Sequence, residues 1–407
     1  MSKSEFSEIV VVKFGGSVLD DGQAIGQAAA LIARTLGKGV GVVVVVSAMK
    51  GVTDNLLTLS KGVNPNMEAS LVDELLSSGE KTSARLVAAS LAQHGLRPVV
   101  IDTDTPGWPV ITDDRHQDAN PIMDVTRQRS RETLIPIIER GEIPIVCGFL
   151  GRTTAGKVTT LGRGGSDTTA VLLGNCLGSK EVVLIKDVDG VFSSDPGKVK
   201  NPQLIESLNG EEAELLAAGG AKFLHLKALR YQTPGLKIRV TSLQKLDAGT
   251  VIEGDIPETR VDVAHVEASM VTIVGVDPAR IEPVLAIANT IRGCNARILA
   301  LSLESSSVIF YVSGGQEVLD RVHHVLIGEK MGKAVSSFDG LAMISIRGKA
   351  LETQPGIVQR VTQPLASSGI NLFGIVTIQS SVRVFVSADQ AQRACKLVKE
   401  AMMVGEL

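Results

Sequence analysis

Residues 40–46 read VGVVVVV, a short β-branched run with no polar position. A strand of this kind is at home only where both faces of its sheet are covered. Apolar runs of the same texture recur at residues 9–12, 98–101, 143–147, 182–185 and 237–240. Helical patterns at 22–36, 69–94, 131–140, 167–177 and 211–218 separate them. Apolar strands alternating with amphipathic helices predict an α/β fold, a mostly parallel sheet sandwiched by crossover helices. Aromatic residues make up only 3% of the chain against 44% for all hydrophobic types, so Val, Leu, Ile and Ala must build the core. At 407 residues the chain exceeds what one core usually organises, and two or three domains are expected.

The texture changes near residue 258. Segments 270–276, 281–291, 297–303, 308–312 and 316–326 read as βαββα, and segments 342–347, 356–367, 372–377, 382–386 and 389–402 repeat that order. Two copies of one small α+β unit follow. The net charge of −3, with interspersed signs, gives no basic field for nucleic acid. Cys147, Cys176, Cys294 and Cys395 lie far apart, without the spacing of a zinc site or a disulfide framework. The opening MSKSEFSE lacks an apolar signal core, and no apolar run approaches the ~20 residues that span a membrane. A cytoplasmic protein with no membrane partner is expected.

The chemistry concentrates in glycine turns. TTLGRGGSDTTA, residues 159–170, places a glycine-rich turn, an arginine and an aspartate at the mouth of a helix. Backbone N–H groups in such a turn, with the helix N-terminus behind them, can cradle a phosphate. A second glycine turn, KFGGS at residues 13–17, follows an apolar run, and the acidic segment IKDVDGVFSSDP, residues 185–196, follows another. Ligands in open α/β sheets bind beyond the carboxyl ends of the strands. Lys13, Ser47, the turn after Cys147 and Asp187 all follow strands directly, so one site is the economical reading. GRTTAGKV at 151–158 matches GxxxxGK, but Val158 stands where a P-loop needs Ser or Thr and no helix follows the lysine. His116, His225, His265, His323 and His324 show no spacing that suggests a metal site or a nucleophilic triad.

KFGGS, Ser47-Ala48-Met49, Ser78-Gly79-Glu80, TTLGRGGSD, Asp187 to Gly190, Asp195-Pro196 and Gly220 to His225, in this order, resemble the amino acid kinase family and most closely its aspartate kinases. The resemblance covers nearly the whole chain, because the repeated C-terminal unit is similar to paired ACT regulatory domains. It implies a catalytic domain over residues 1–258 and ferredoxin-like ACT domains over 262–335 and 336–407. In the family the strand at 260–266 can pair with the second copy, making the first an insertion; periodicity leaves both arrangements open.

Residue roles follow from the resemblance. Moving a γ-phosphoryl group to a carboxylate brings anions together, so fixed positive charge and positioning must dominate. Lys13 is expected on the transferring phosphoryl group, Lys222 as a second phosphate-contacting lysine, and Asp167 as the residue that aligns the lysines; an N-cap role also suits Asp167. Arg163 should hold a substrate carboxylate, Glu80 the α-amino group, and Ser47 and Ser166 the remaining polar contacts. Lys13, Gly15, Gly16, Lys186, Asp187, Phe192, Asp195 and Lys222 are expected around the nucleotide. Lys186 stands where the family commonly has Thr, Phe192 where it has Tyr, and Gly197 where it has Arg. Gln354, Pro355, Gly356, Ile357 and Asn371 resemble the effector-binding loop, helix start and strand entry of an ACT domain. The first copy departs there, with Asp277-Pro278-Ala279-Arg280.

The implied activity is ATP-dependent formation of 4-phospho-L-aspartate from L-aspartate, with Mg²⁺ bridging the phosphates. Feedback by lysine or threonine, and a homodimer formed through the ACT pair, are implied with it. Val18 and Leu226, where the family usually has Ser and Pro, keep another amino acid or carboxylate open as substrate. A non-catalytic amino-acid sensor is the reading from a different class; Lys13, Arg163, Asp167 and Asp187 together argue against it.

Overall fold

The computed structural model describes residues 8–35, 40–246, 248–254, 260–263, 267–277, 280–314, 316–348, 351, 355–378 and 381–403. The first strand, β1 (Glu8–Phe14), leads through the Gly15-Gly16 turn into α1 (Gly22–Thr35) and β2 (Val40–Val46). All of β2 except Val40 is buried, the arrangement its unbroken apolar sequence demands. Next come α2 (Val52–Val63), the long α3 (Ala69–Gln93), β3 (Pro98–Ile101) and β4 (Ile111–Thr112). Then α4 (Met123–Glu139) precedes β5 (Ile143–Cys147), and β6 (Leu150–Thr153) with β7 (Val158–Thr160) forms an antiparallel hairpin. That hairpin is what GRTTAGKV builds: Gly156 takes φ +86° at its turn, and no helix follows Lys157.

The buried α5 (Gly165–Leu177) leads to β8 (Glu181–Lys186). The short strands β9 (Val191–Phe192), β10 (Leu204–Ile205) and β11 (Ser207–Asn209) follow, then α6 (Gly210–Ala218), α7 (Leu226–Leu229), β12 (Lys237–Ser242) and β13 (Thr250–Glu253). An Asn209/Glu212 capping box starts α6. The central sheet has eight strands in the order β11-β13-β12-β8-β1-β2-β5-β3. Every pairing in it is parallel except that of β12 with β13. Val, Leu, Ile and Ala dominate one continuous core, with Trp108 and Phe14 its largest fully buried side chains.

The backbone divides into two units, Met1–Ile256 and Pro257–Leu407, and the expected boundary at 258 lies outside the described residues. The second unit contains β14 (Arg260–Val263), β15 (Ala268–Val274), α8 (Ile281–Gly293), β16 (Arg297–Leu303), β17 (Ser307–Ser313) and α9 (Gln316–Gly328). It continues with β18 (Ala334–Arg347), α10 (Ile357–Ser367), β19 (Gly374–Ile378), β20 (Ser381–Ser387) and α11 (Ala391–Met403).

Each βαββα copy gains a fourth strand from outside its own run. The first half of β18 pairs with β15 and completes the first copy. The second half pairs with both β20 and β14, so β14 completes the second copy and the first copy is the insertion. Each copy has its own apolar core. They touch where the Tyr311 ring stacks on Phe385 at 3.9 Å and its hydroxyl donates to the Phe373 carbonyl at 2.7 Å. Among the described residues no helix is long and apolar enough to cross a membrane.

Candidate active site

Three parallel strands end side by side and turn into the site. β1 continues into Gly15, whose N–H donates to Ile185 O at the end of β8. β2 continues into Ser47, whose N–H donates to Phe14 O, and β5 into Gly148, bonded to Val46 O. The main chain packs closely here: a Cβ on Gly16 would lie 2.6 Å from Ala48 O. The GRGG turn is equally tight. Gly162 and Gly164 take φ +76° and +69°, and a Cβ on Gly164 would strike His225.

That turn delivers Asp167 into the first turn of α5, where it is 5% exposed. Its two oxygens meet different ammonium groups: Lys13 Nζ lies 2.6 Å from Oδ1 and Lys186 Nζ 2.6 Å from Oδ2. Burial opposes ionisation of Asp167, but the two lysines outweigh it and hold the carboxyl well below the usual carboxylate range. Lys13 is 5% exposed; burial lowers its pKa, Asp167 pulls it back up, and Lys186 presses it down further.

Beside this cluster lies a cavity of about 400 Å³. Of the expected residues, Lys13, Ser47, Glu80, Arg163, Ser166 and Asp167 line it. Glu80 is 2% exposed on α3; its Oε1 accepts the Ala48 N–H at 3.2 Å, and Oε2 has no hydrogen-bond partner among the described residues. Burial pushes its carboxyl up to about 8. A buried carboxyl oxygen without a donor, facing a cavity, is an acceptor waiting for a cation. Arg163 presents a solvent-exposed guanidinium on the same cavity, so a zwitterion can be read at both ends.

Other expected residues stand outside the cavity. Lys186 reaches the cluster only through Asp167. Asp187 is exposed directly after β8 and Asp195 in the β9–β10 loop, where its Oδ1 accepts the Gly197 N–H, and Phe192 is half-buried in the β9–β10 pair. Lys222 is exposed in the turn between α6 and α7. In the second unit Pro355, Gly356 and Asn371 are exposed and Ile357 opens α10, while Gln354 lies outside the described residues.

The structure adds residues not foreseen from the sequence. Thr53, Gln117, Phe149 and Thr160 also line the cavity. Fully buried Asp73 accepts bonds from Thr160 Oγ1 (2.7 Å) and the Gln117 N–H (3.1 Å) and pairs with His116 Nδ1 (2.8 Å), bracing the cavity wall. It lies seven residues before Glu80, on the same face of α3, and that spacing was the available signal. Buried Lys227 donates to Asp118 Oδ1, Ala119 O and Leu161 O at 2.7–2.9 Å, tying the GRGG turn to the 113–120 loop.

Comparison with known proteins agrees with this geometry. Residues 8–242 match the amino acid kinase family and residues 336–400 an ACT domain. An aspartokinase of Geobacillus stearothermophilus is 33% identical over 98% of both chains. One from Corynebacterium glutamicum is 32% identical over 98% of this chain and 96% of the relative. An aspartate kinase structure from Synechocystis superposes with a TM-score of 0.80 at 25% identity, covering 96% of this chain and 69% of that one. E. coli aspartokinase III, crystallised with aspartate and ADP, shares the fold at a TM-score of 0.55 and 22% identity over 97% of this chain and all of that one. With the Gly15-Gly16 and GRGG turns, the lysine-aspartate cluster and the ACT pair in one chain, the protein belongs to the amino acid kinase family, among its aspartokinases.

Proposed function

We propose that the protein transfers the γ-phosphoryl group of ATP to the β-carboxylate of L-aspartate, forming 4-phospho-L-aspartate, and that its ACT pair regulates this step. The observation that carries the reading is the cavity that joins an unpartnered buried Glu80 oxygen to exposed Arg163 and ends at Lys13 and Asp167. Glu80 takes the α-ammonium group and Arg163 a carboxylate, with Ser47 and Ser166 supplying hydroxyls. The β-carboxylate then faces Lys13. It is ionised near neutral pH, so in-line attack on phosphorus needs no general base.

ATP enters along the Gly15-Gly16 turn, with Asp187, Phe192 and Asp195 on the base and sugar side and Lys222 reaching in from its exposed turn. Among the described residues no group of three or more His, Cys, Asp or Glu side chains could hold a metal. Mg²⁺ fits as an ion carried by the phosphates, with water completing its shell, and would neutralise β- and γ-phosphate charge. The departures that kept another substrate open lie away from the cavity: Val18 is 6% exposed in the core, and Leu226 opens α7. That favours aspartate.

Lysine or threonine would bind at Gln354, Pro355, Gly356, Ile357 and Asn371. The edge strands β16 and β19 expose Ile298, Leu301, Leu303 and Ile375, apolar edges suited to pairing with a second copy. The deciding experiment is an ATP-dependent assay over a panel of amino acids with hydroxylamine trapping of the acyl phosphate. Aspartate should dominate; trapped product from a different amino acid and none from aspartate would overturn the substrate assignment.

A further inference from the structure

One lysine is enough to neutralise one aspartate, yet Asp167 holds two. The second, Lys186, comes from the end of β8. In the parallel register Lys13 sits opposite Leu184. Because strand side chains alternate, Lys186 projects from the same sheet face as Leu184, one pleat nearer the carboxyl end. The two lysine Cα atoms are thus roughly 8 Å apart, from a rise of ~3.3 Å per residue and a strand spacing of ~4.8 Å. Their ammonium groups nevertheless converge on the two oxygens of one carboxylate, at 2.6 Å each.

The cluster carries a net charge of +1, with the side chains of Lys13, Asp167 and Lys186 only 6%, 7% and 16% exposed. Surplus buried charge is costly unless an anion arrives to share it. Of the three donors on each ammonium group, Lys186 spends one on Asp167 Oδ2, while Lys13 meets Oδ1 as an ion pair, so each keeps at least two. Lys186 also flanks the glycine turn, since Gly15 N–H is bonded to Ile185 O beside it. Lys13 lines the amino-acid cavity and Lys186 does not. Only one of the two ammonium groups therefore faces the cavity.

We propose that Lys186 is a catalytic residue that contacts the β,γ side of the nucleotide and stabilises the leaving phosphate oxygen. The assignment rests on the kinase reading above. In the step itself an aspartate β-carboxylate oxygen bonds to the γ-phosphorus and the bond from that phosphorus to the β,γ-bridging oxygen breaks. Its electron pair leaves on ADP, and no proton moves. Lys13 faces the transferring group and the attacking carboxylate, Lys186 faces the oxygen that gains charge, and Asp167 fixes both. A strand end holds Lys186 in place, whereas Lys222 must be delivered from an exposed turn.

The test compares Lys186→Met, Lys186→Thr and Lys186→Arg with the parent, in activity and in nucleotide binding by calorimetry. The Met and Thr variants should lose at least tenfold in kcat with the aspartate KM within threefold. They should bind ATP and ADP at least tenfold more weakly while AMP binding stays within threefold, and Arg should recover most of both losses. A smaller loss of kcat in a folded Met or Thr variant overturns the assignment, as does equal weakening of AMP and ADP binding. Met and Thr each remove the ammonium group, so one variant that misfolds leaves the other to decide. If the parent yields no trapped acyl phosphate, the kinase reading fails. The AMP and ADP comparison still decides whether Lys186 meets the phosphates.

Discussion

If Glu80 takes the α-ammonium group as proposed, the substrate site is a proton-linked device. Its carboxyl, pushed up to about 8 by burial, is mostly neutral in the free enzyme at pH 7. An α-ammonium group requires the carboxylate, so binding must expel the proton. With the group titrating near 8, the apparent KM for aspartate is raised about 100-fold at pH 6, about 11-fold at pH 7 and about twofold at pH 8 over its alkaline limit. The KM should therefore fall nearly tenfold per unit from pH 6 to 7 and level off above 8. Calorimetric titration at pH 7 in two buffers of different ionisation enthalpy should report roughly 0.9 proton released per aspartate bound. Glu80→Gln should raise the KM and abolish its pH dependence; Arg163→Ala should raise the KM but leave the slope intact, with the ATP KM little changed in either variant.

Stability follows the same linkage. A carboxyl whose folded pKa lies above its unfolded value of 4.5 costs nothing below that pH. The folded state then loses stability as pH rises from 4.5 to about 8, by up to ~1.4 kcal/mol per pH unit. Glu80→Gln should remove that component of the unfolding midpoint's pH dependence. A KM for aspartate that is flat between pH 6 and 8, with no buffer-dependent heat, would show that binding expels no proton from Glu80.

Lys13→Met should lower kcat by ~10²-fold or more, because it removes a preorganised donor from the transferring group; steady-state rates within threefold of the parent would reassign it. Lys227→Met should destabilise the catalytic unit by about 2–4 kcal/mol, because two buried carbonyls lose their donor, and an unchanged thermal midpoint would show that other groups hold the GRGG turn. The protein should sediment as a dimer and be inhibited by lysine or threonine, with Asn371→Ala relieving the inhibition. A monomer whose rate neither amino acid changes, singly or together, would assign the ACT pair another role.

The parallel sheet was legible because strands such as β2 are buried on both faces and carry no polar interruption. Helix α4 starts at Met123, eight residues before its predicted start, because the inward positions of its first turns are Thr126 and Ser130, which leave no apolar period to read. Helix α2 went unread for a related reason: its buried side is one serine, Ser60, while Leu59 and Val63 are exposed. In the site, Glu80, Arg163, Ser47 and Ser166 were readable from local motifs, and the cavity gathers them. The pairing of Lys186 with Asp167 and of Lys227 with Asp118 spans 19 and 109 residues, so only the register of β8 on β1 and the docking of α7 under the GRGG turn bring them together. The exposure of Lys222 is likewise a property of its turn and not of the GAK motif around it.

The route of the chain through β14 sets an order on synthesis. The first ACT copy occupies one contiguous stretch, from β15 to the first half of β18, and can fold as soon as that stretch has left the ribosome. Strand β14 emerges earlier, but its partners, residues 344–347, lie more than eighty positions downstream. It must wait as an unpaired edge while an entire neighbouring unit forms beside it. Such late, long-range pairing folds slowly and leaves a strand open to the wrong partner. A nascent chain that has emerged only as far as about residue 340 can therefore close its first ACT core around β15, β16, β17 and the first half of β18 and still present β14 to any exposed edge nearby.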